Sequence, residues 1–187
     1  VDFVLAGGGL LMVADHLESD RDGNGWDSVQ VFNDMLTRAS TNGLEANPFG
    51  FSVAPVGYAA SGDIERVNGG QSRIVDTAAA GHPVLAGPHG TVSKIGMHKG
   101  GLFTLHAETA KVLMHAMPAG TYGYESGSPY VVASEPGEGR VVAVGDSSIL
   151  NDGTDSHGRV DTGFDSWHEG SEQNAALFLN AVEWLAE

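Results

Sequence analysis

The apolar run from Leu10 to Ala14 constrains the fold of this chain more than any other stretch. Glycines at 7–9 precede it, and Asp15 and His16 follow it directly. Five apolar residues are too few for a buried helix, so the run predicts a buried strand. Ligands of open α/β sheets bind where such strands end, and the polar pair after this strand therefore marks a candidate site.

A second predicted buried strand, at residues 140–144, is apolar after Arg140 and is followed by Gly145, Asp146 and Ser147. If the two strands are neighbours, Asp146 and Ser147 share one crevice with Asp15 and His16. A carboxylate beside an imidazole and a hydroxyl suits general acid/base or nucleophilic chemistry. The alternative is that Asp146 caps the following turn and His16 packs within a loop.

Three helices are predicted. Residues 1–5, with the glycines behind them, are typical of the last turn of a helix, so we expect a strand and most of a helix to precede residue 1. Asp27 caps a second helix with Gln30 and presents one apolar face, ending near residues 38–42. Ser171 is predicted to cap a final helix, whose apolar stripe is Ala175, Phe178, Leu179, Val182 and Leu185.

The middle of the chain predicts short strands joined by turns. The candidate strands are 51–53, 91–95, 101–105, 110–115 and 130–133. Residues 136–139, Pro-Gly-Glu-Gly, predict a turn directly before the second buried strand.

Composition narrows the partners. Nine Lys and Arg against 24 Asp and Glu give a formal net charge of -15, which disfavours nucleic acid and anionic lipid surfaces as partners. Cations, sugars and neutral small molecules remain possible ligands.

The chain has no cysteine, so thiol nucleophiles, zinc-thiolate sites and disulfides are excluded. No apolar run reaches the roughly 18 residues of a membrane span, and we expect an exported protein, extracellular or periplasmic, without membrane insertion.

Several stretches together resemble the class I glutamine amidotransferase-like superfamily, in its branch without the catalytic cysteine, which includes ThuA-like and GldG-like domains. The matching stretches are 7–13, 81–87, 137–147 and 174–185. The resemblance implies one domain over 1–187, a flavodoxin-like three-layer α/β sandwich with a mostly parallel sheet, whose first β-α unit precedes residue 1. Where the family's nucleophilic Cys would stand, this chain has Asp15 and His16, so glutamine amidotransfer by that route is excluded. The resemblance also implies a link to carbohydrate, because several members of the branch are linked to carbohydrate metabolism or binding.

Residues 20–25 have the spacing of a calcium loop, Asp-x-Asp-x-Asn-Gly, in which side-chain oxygens alternate and Gly allows the sharp turn. The predicted Ca²⁺ ligands are Asp20, Asp22, Asn24, Trp26 through its carbonyl, and Asp27. Val31 stands where an EF-hand has its bidentate Glu, so the EF-hand pattern is incomplete. The alternative is a turn followed by a helix cap, with no ion.

A second resemblance concerns SGNH-type esterases. Residues 145–148, Gly-Asp-Ser-Ser, are similar to their GDS block, and residues 165–168 are similar to their Asp-x-x-His block. This resemblance implies Ser147 as nucleophile, His168 as base and Asp165 as the residue that orients it. The two blocks lie only about twenty residues apart, however, unlike the spacing of that family.

His157 and His168 are also candidates for a mixed nitrogen and oxygen transition-metal site. The acidic residues that would complete it are Asp152, Asp155, Asp161 and Asp165. The alternative is that both are surface histidines.

Aromatic residues in loops are suited to stacking on sugar rings or to forming small buried clusters. These residues are Trp26, Tyr122, Tyr124, Tyr130 and Trp167.

The leading functional prediction is a calcium-stabilised, exported domain that binds or processes carbohydrate or a related polar ligand at the crevice of Asp15, His16, Asp146 and Ser147. One alternative is a hydrolase of ester or glycosidic bonds that uses Ser147 with His168, or Asp15 with Asp146. The other is a non-catalytic structural module of a larger surface protein.

Overall fold

The computed structural model describes residues 1–20, 22–39, 47–54, 74–75, 79–96, 100–116, 128–154, 157–165, 167–168, 170 and 172–187. The helices are α1 (Asp2–Leu5), α2 (Ser28–Ala39) and α3 (Asn174–Ala186), with a 3-10 turn at Ser148–Leu150. The strands are β1 (Gly9–Val13), β2 (Phe51–Ala54), β3 (Ile74–Val75), β4 (Ala86–Gly87), β5 (Gly90–Thr91), β6 (Lys94–Ile95), β7 (Leu102–Leu105), β8 (Ala110–Ala116), β9 (Pro129–Ser134), β10 (Arg140–Val144), β11 (Asp152–Thr154) and β12 (Val160–Asp165).

Within the described residues, the main sheet has six strands in the order β1-β10-β9-β8-β3-β6. In this described part of the sheet only β1 and β10 run parallel, and every other pair is antiparallel. Three further strand pairs, β2-β7, β4-β5 and β11-β12, are antiparallel as well.

This topology shows that the predicted fold class is wrong. A flavodoxin-like sandwich with a mostly parallel sheet needs a crossover connection, usually a helix, between successive strands. Here the turn at residues 135–139 joins β9 directly to β10, and a connection this short allows only antiparallel pairing. The fold is strand-rich, with a mixed sheet and few helices in the described residues.

The sheet has a hydrophobic core on each face. Side chains of β10 alternate, so Val142 and Val144 pack into the core that α3 covers, whereas Val141 and Ala143 pack into the core that α2 helps to form. All four are fully buried. A strand buried on both faces reads as a continuous apolar run rather than an alternating one, which is why the sequence signal at β10 is strong.

The final helix is confirmed, but its predicted apolar face is only partly right: Phe178 is buried and Leu185 packs against the core, whereas two other members of the stripe are exposed. Leu179 and Val182 are 41% and 54% exposed, and the buried face also holds Leu177, Ala181 and Trp184. Two polar residues, Asn174 and Asn180, are buried on that same face. Their hydrogen bonds to the 84–96 region turn the helix away from the orientation that hydropathy alone favours. The predicted cap Ser171 lies outside the described residues.

Candidate functional site

The site lies where β1 and β10 end. The two strands pair in parallel with Val13 opposite Val144, and the N–H of Ala14 donates to the carbonyl of Val144 at 2.8 Å. Strands in parallel register end at the same edge of a sheet, so the residues after them meet there. The two strands are therefore neighbours, which is the condition for the shared crevice of the sequence analysis.

A hydrogen bond between side chains joins the two strand ends. The Ser147 hydroxyl donates to Oδ2 of Asp15 at 2.8 Å. Asp15 is buried, and its backbone N–H donates to the Ser28 hydroxyl at the start of α2, also at 2.8 Å. Asp15 is thus held at two points, its carboxylate by Ser147 after β10 and its backbone by Ser28 of α2.

His16 completes this group. Its backbone N–H donates to Oδ1 of Asp15 at 2.8 Å, and its ring Nε2 lies 3.7 Å from the same oxygen. Ring Nδ1 lies 2.6 Å from the carbonyl oxygen of Leu17. Because a carbonyl only accepts, Nδ1 carries the proton, and Nε2 is an acceptor when the ring is neutral. The Ser147 hydroxyl donates its one hydrogen to the Asp15 carboxylate. The lone pairs of its oxygen are therefore what it can offer to a ligand, as hydrogen-bond acceptors.

Asp146 makes the contact of a cap. It is fully buried, and its Oδ1 accepts the N–H of Ser148 at 2.8 Å where the 3-10 turn begins. Two glycines lie against this strand end. The N–H of Gly101 donates to the carbonyl of Gly145 at 2.7 Å, and a Cβ at Gly100 would lie 3.0 Å from that of Asp146. Sequence reasoning missed this approach, although a Gly-Gly pair is the signal that could have suggested it.

The loop over residues 20–25 is closed by its own side chains. Oδ2 of Asp20 accepts the N–H of Gly25 at 2.7 Å, and Oδ1 of Asp20 accepts that of Asn24 at 3.1 Å. Asn24 in turn donates through its amide to Asp22 at 2.8 Å and accepts the N–H of Trp26 at 2.8 Å. The N–H group of Gly25 holds the pKa of the Asp20 carboxyl below its ordinary 3.8. These hydrogen bonds close the loop, and the calcium site stays a prediction.

The predicted capping box at α2 is confirmed. Oδ1 of Asp27 accepts the N–H of Gln30 at 2.9 Å, and the Gln30 side chain accepts the N–H of Asp27 at 3.0 Å. The other carboxylate oxygen of Asp27 accepts the N–H of Glu18 at 2.7 Å. Asp27 therefore attaches the 20–27 loop to the segment that follows Asp15.

The structure does not join the two blocks of the esterase-like pattern. Ring Nδ1 of His168 lies 2.8 Å from Oδ1 of Asp165, as the pattern implies. The hydroxyl of Ser147 donates to Asp15 instead, and no described contact connects it to His168.

The candidates for a transition-metal site come together only in part. Asp152 and Asp165 are opposite each other in the β11-β12 pair. Hydrogen bonds from Thr154 hold the pKa of Asp152 below its ordinary 3.8. Within the described residues, no three His, Asp or Glu side chains form a group with metal-binding geometry. Asp155 and the side chain of Asp161 lie outside the described part of the chain.

The aromatic candidates divide between surface and core. Trp26 is 49% exposed, Trp167 is half-buried against the α3 core, and Tyr130 is fully buried. Tyr122 and Tyr124 lie outside the described residues.

None of the helices that the structure describes is both long enough and apolar enough to cross a bilayer.

Comparisons with known proteins concern the fold alone. No family model matches the sequence, and no curated protein matches it. Among solved structures, the chain is similar to a domain described as the mmIFT52 N-terminal domain, with a TM-score of 0.56 and 12% identity, over 99% of this chain and 68% of that one. It is also similar to the cytoplasmic protein STM1381 from Salmonella typhimurium LT2, with a TM-score of 0.51 and 17% identity, over 98% of this chain and 58% of that one. The resemblance to the amidotransferase-like superfamily stays a prediction.

Proposed function

We propose that this chain is a binding domain for carbohydrate or a related polyhydroxylated ligand, held at the strand-end site by Asp15, His16 and Ser147, with the buried Asp146 as the cap behind them. The observation that carries the proposal is the 2.8 Å hydrogen bond from Ser147 to Asp15, which joins the ends of the two parallel strands. It orients a hydroxyl and a carboxylate toward each other where the parallel strands β1 and β10 end, so that one ligand can contact both groups.

The hydrogen-bonding character of the site supports a ligand rich in hydroxyl groups. Asp15, the oxygen of Ser147 and Nε2 of neutral His16 are all acceptors. A sugar supplies several O–H donors at short spacing, and each of them matches an acceptor of this kind. The net charge of -15 disfavours phosphorylated or carboxylated ligands.

An exposed aromatic side chain close in sequence to the site adds to this support. Trp26 precedes the capping residue Asp27, which bonds to Glu18, and Ser28 bonds to Asp15. The loop that carries Trp26 is therefore attached to the strand end at two points. Sugar rings present C–H faces that stack on aromatic rings, and a half-exposed Trp beside a polar site is suited to that contact.

Calorimetric titration with a panel of neutral mono- and oligosaccharides tests the proposal. We expect Ser147→Ala and Asp15→Asn to weaken binding by about tenfold, because the first removes an acceptor oxygen and the second replaces one carboxylate oxygen by an NH₂ donor, and each change should cost about 1 to 1.5 kcal/mol of hydrogen bonding to the ligand. Ser52→Ala is the matched control, since the hydroxyl of Ser52, on the separate β2-β7 pair, bonds to His106 directly after β7. No heat with any sugar, or equal weakening by the control, would overturn the proposal. An esterase and glycosidase screen of the same samples tests the hydrolase alternative.

The proposal includes Ca²⁺ at the 20–25 loop, with Asp20, Asp22 and Asn24 as the side-chain ligands. Hard cations prefer the oxygen ligands that this loop concentrates. Titration with CaCl₂ should release heat in the natural protein and none in the Asp20→Ala, Asp22→Ala double variant. The absence of heat in the natural protein would show that the loop closes by its internal hydrogen bonds alone.

A further inference from the structure

The segment over residues 82–92 packs against α3 and the hydrophobic core that this helix covers. Val84 and Leu85 are fully buried in that core. The buried side chain of Asn180 accepts the N–H of His89 at 2.9 Å and donates to the carbonyl of Gly90, also at 2.9 Å. The position of this segment therefore depends on its contacts with one helix.

His82 begins the segment and organises its first turn. Its carbonyl accepts the N–H groups of Leu85 and Ala86, both at 2.8 Å. Its half-buried ring packs edge-on against Trp184 of α3, with 4.8 Å between the ring centroids and an interplanar angle of 67°. One side chain thus contacts both the segment and the helix that holds it.

The ring of His82 also accepts a hydrogen bond that only its neutral form can accept. The N–H of Val84 points at Nδ1 over 3.3 Å. A backbone amide only donates, so Nδ1 carries a lone pair and the proton of the neutral ring lies on Nε2. Protonation would place a second N–H at Nδ1, opposite the N–H of Val84, and this bond would be lost.

From this geometry we infer that His82 is a pH-sensitive switch, and that its protonation at Nδ1 releases the 82–92 segment from α3. Arg140 of β10 contacts the same tryptophan, with its guanidinium 5.4 Å from the Trp184 ring. Its charge is paired with Glu187, at the end of α3, at 3.2 Å.

Two further charged groups act on His82 from the sheet. Glu135, which follows β9, favours the protonated ring, and Lys111 of β8 opposes it. These two residues lie 3.7 Å apart as an ion pair, so their effects offset each other. Burial is the larger influence, and it lowers the pKa of His82 below its ordinary 6.5.

The sign of the effect follows from proton linkage. In the released segment the ring returns to its ordinary pKa of 6.5 and binds a proton more readily than in the closed fold. The closed state is therefore fully favoured above pH 6.5, and it loses stability as the pH falls from there through the lowered pKa of the folded state. One proton is involved, so the opening constant should rise by up to about tenfold per pH unit within that interval.

Hydrogen exchange of the whole chain, measured by mass spectrometry between about pH 7.5 and 5 and corrected for intrinsic exchange rates, tests the inference. Peptides covering residues 82–92 should show a rising opening constant on acidification. His82→Asn keeps an acceptor for the N–H of Val84 without a titratable group, so the rise should disappear. His89→Asn is the matched control, because only the backbone of His89 bonds to Asn180. An unchanged pH response in His82→Asn, or its loss in the control, would overturn the inference.

Nitrogen NMR of the natural protein gives a second readout that needs no variant. At about pH 7.5 the His82 ring should be the Nε2–H tautomer, with Nδ1 unprotonated. The opposite tautomer would overturn the switch even if the 82–92 segment opens in acid for another reason.

Discussion

Replacing Asn180 by Ala tests whether one buried amide holds the 82–92 segment on α3. The side chain makes three hydrogen bonds, to the N–H of His89 at 2.9 Å and to the carbonyls of Gly90 at 2.9 Å and Val84 at 3.3 Å. At a net contribution of about 0.5 to 1.5 kcal/mol each, with the longest bond at the lower end, their loss should cost about 1.5 to 3.5 kcal/mol. With a urea m-value of about 2 kcal/mol/M, the midpoint of unfolding should fall by roughly 1 to 2 M.

Asn180→Asp makes the same test more specific. It keeps the oxygen that accepts from His89 but replaces the donating NH₂ by an oxygen that faces two carbonyl oxygens. Because a buried charge is added without a partner, Asn180→Asp should be less stable than Asn180→Ala at neutral pH. Exposed Glu183 on the same helix provides the control, and Glu183→Ala should change stability by less than about 0.5 kcal/mol. A midpoint for Asn180→Ala close to that of the control, or an Asp variant as stable as the Ala variant, would refute the reasoning.

The remaining predictions concern β1, the start of α2 and the acidic loop. Gly9→Ala should cost about 1 to 3 kcal/mol in urea unfolding, because the new methyl group would lie 2.8 Å from the Cβ of Leu185 and closer still to its carbonyl oxygen; an unchanged midpoint would show that α3 can move away. Asp27→Ala should cost about 1 to 2 kcal/mol, and Gln30→Ala less, since Asp27 accepts two backbone N–H groups and Gln30 accepts one; equal losses would contradict the capping assignment. The Asp20 carboxyl should titrate below its ordinary 3.8 in carbon-detected NMR, and a midpoint at or above that value would show that the loop is open in solution.

Local patterns in the sequence predicted local structure well. The apolar runs at β1 and β10, and the Asp27 and Gln30 capping box, depend on residues within a few positions of one another. The meeting of Asp15 with Ser147 was also predictable, because both follow buried strands and the strands proved to be parallel neighbours. The tautomer of His16 was not, since it is set by the carbonyl of Leu17, whose direction only the folded loop defines.

The fold class was wrong because an assumption about strand direction outweighed a turn signal. Residues 136–139 predicted a turn between two strands, and a turn of that length already requires antiparallel pairing of β9 with β10. The resemblance, which covers much of the chain, implies a parallel sheet. In this region the short connection between the strands was the more reliable indicator of strand direction.

The face of α3 was partly misassigned for a reason that hydropathy does not capture. Asn180 is polar, yet it is buried because its amide satisfies backbone groups about 90 residues earlier in the chain. Leu179 and Val182 lie on the other side of the helix as a result. A periodicity count treats each helix alone. It therefore misses a face that is determined by contacts with a distant segment, here the β4-β5 pair.

The pairing of β1 with β10 also bears on how the chain reaches its native state. The hydrogen bond between Ser147 and Asp15 spans 132 positions, whereas β8, β9 and β10 succeed one another along the chain. Closing a long loop costs more chain entropy than closing a short one, and contacts between distant residues slow folding. We therefore expect the β8-β9-β10 meander to form early and β1 to join it late. On the ribosome, the two halves of the site would first meet only after residue 147 has left the exit tunnel.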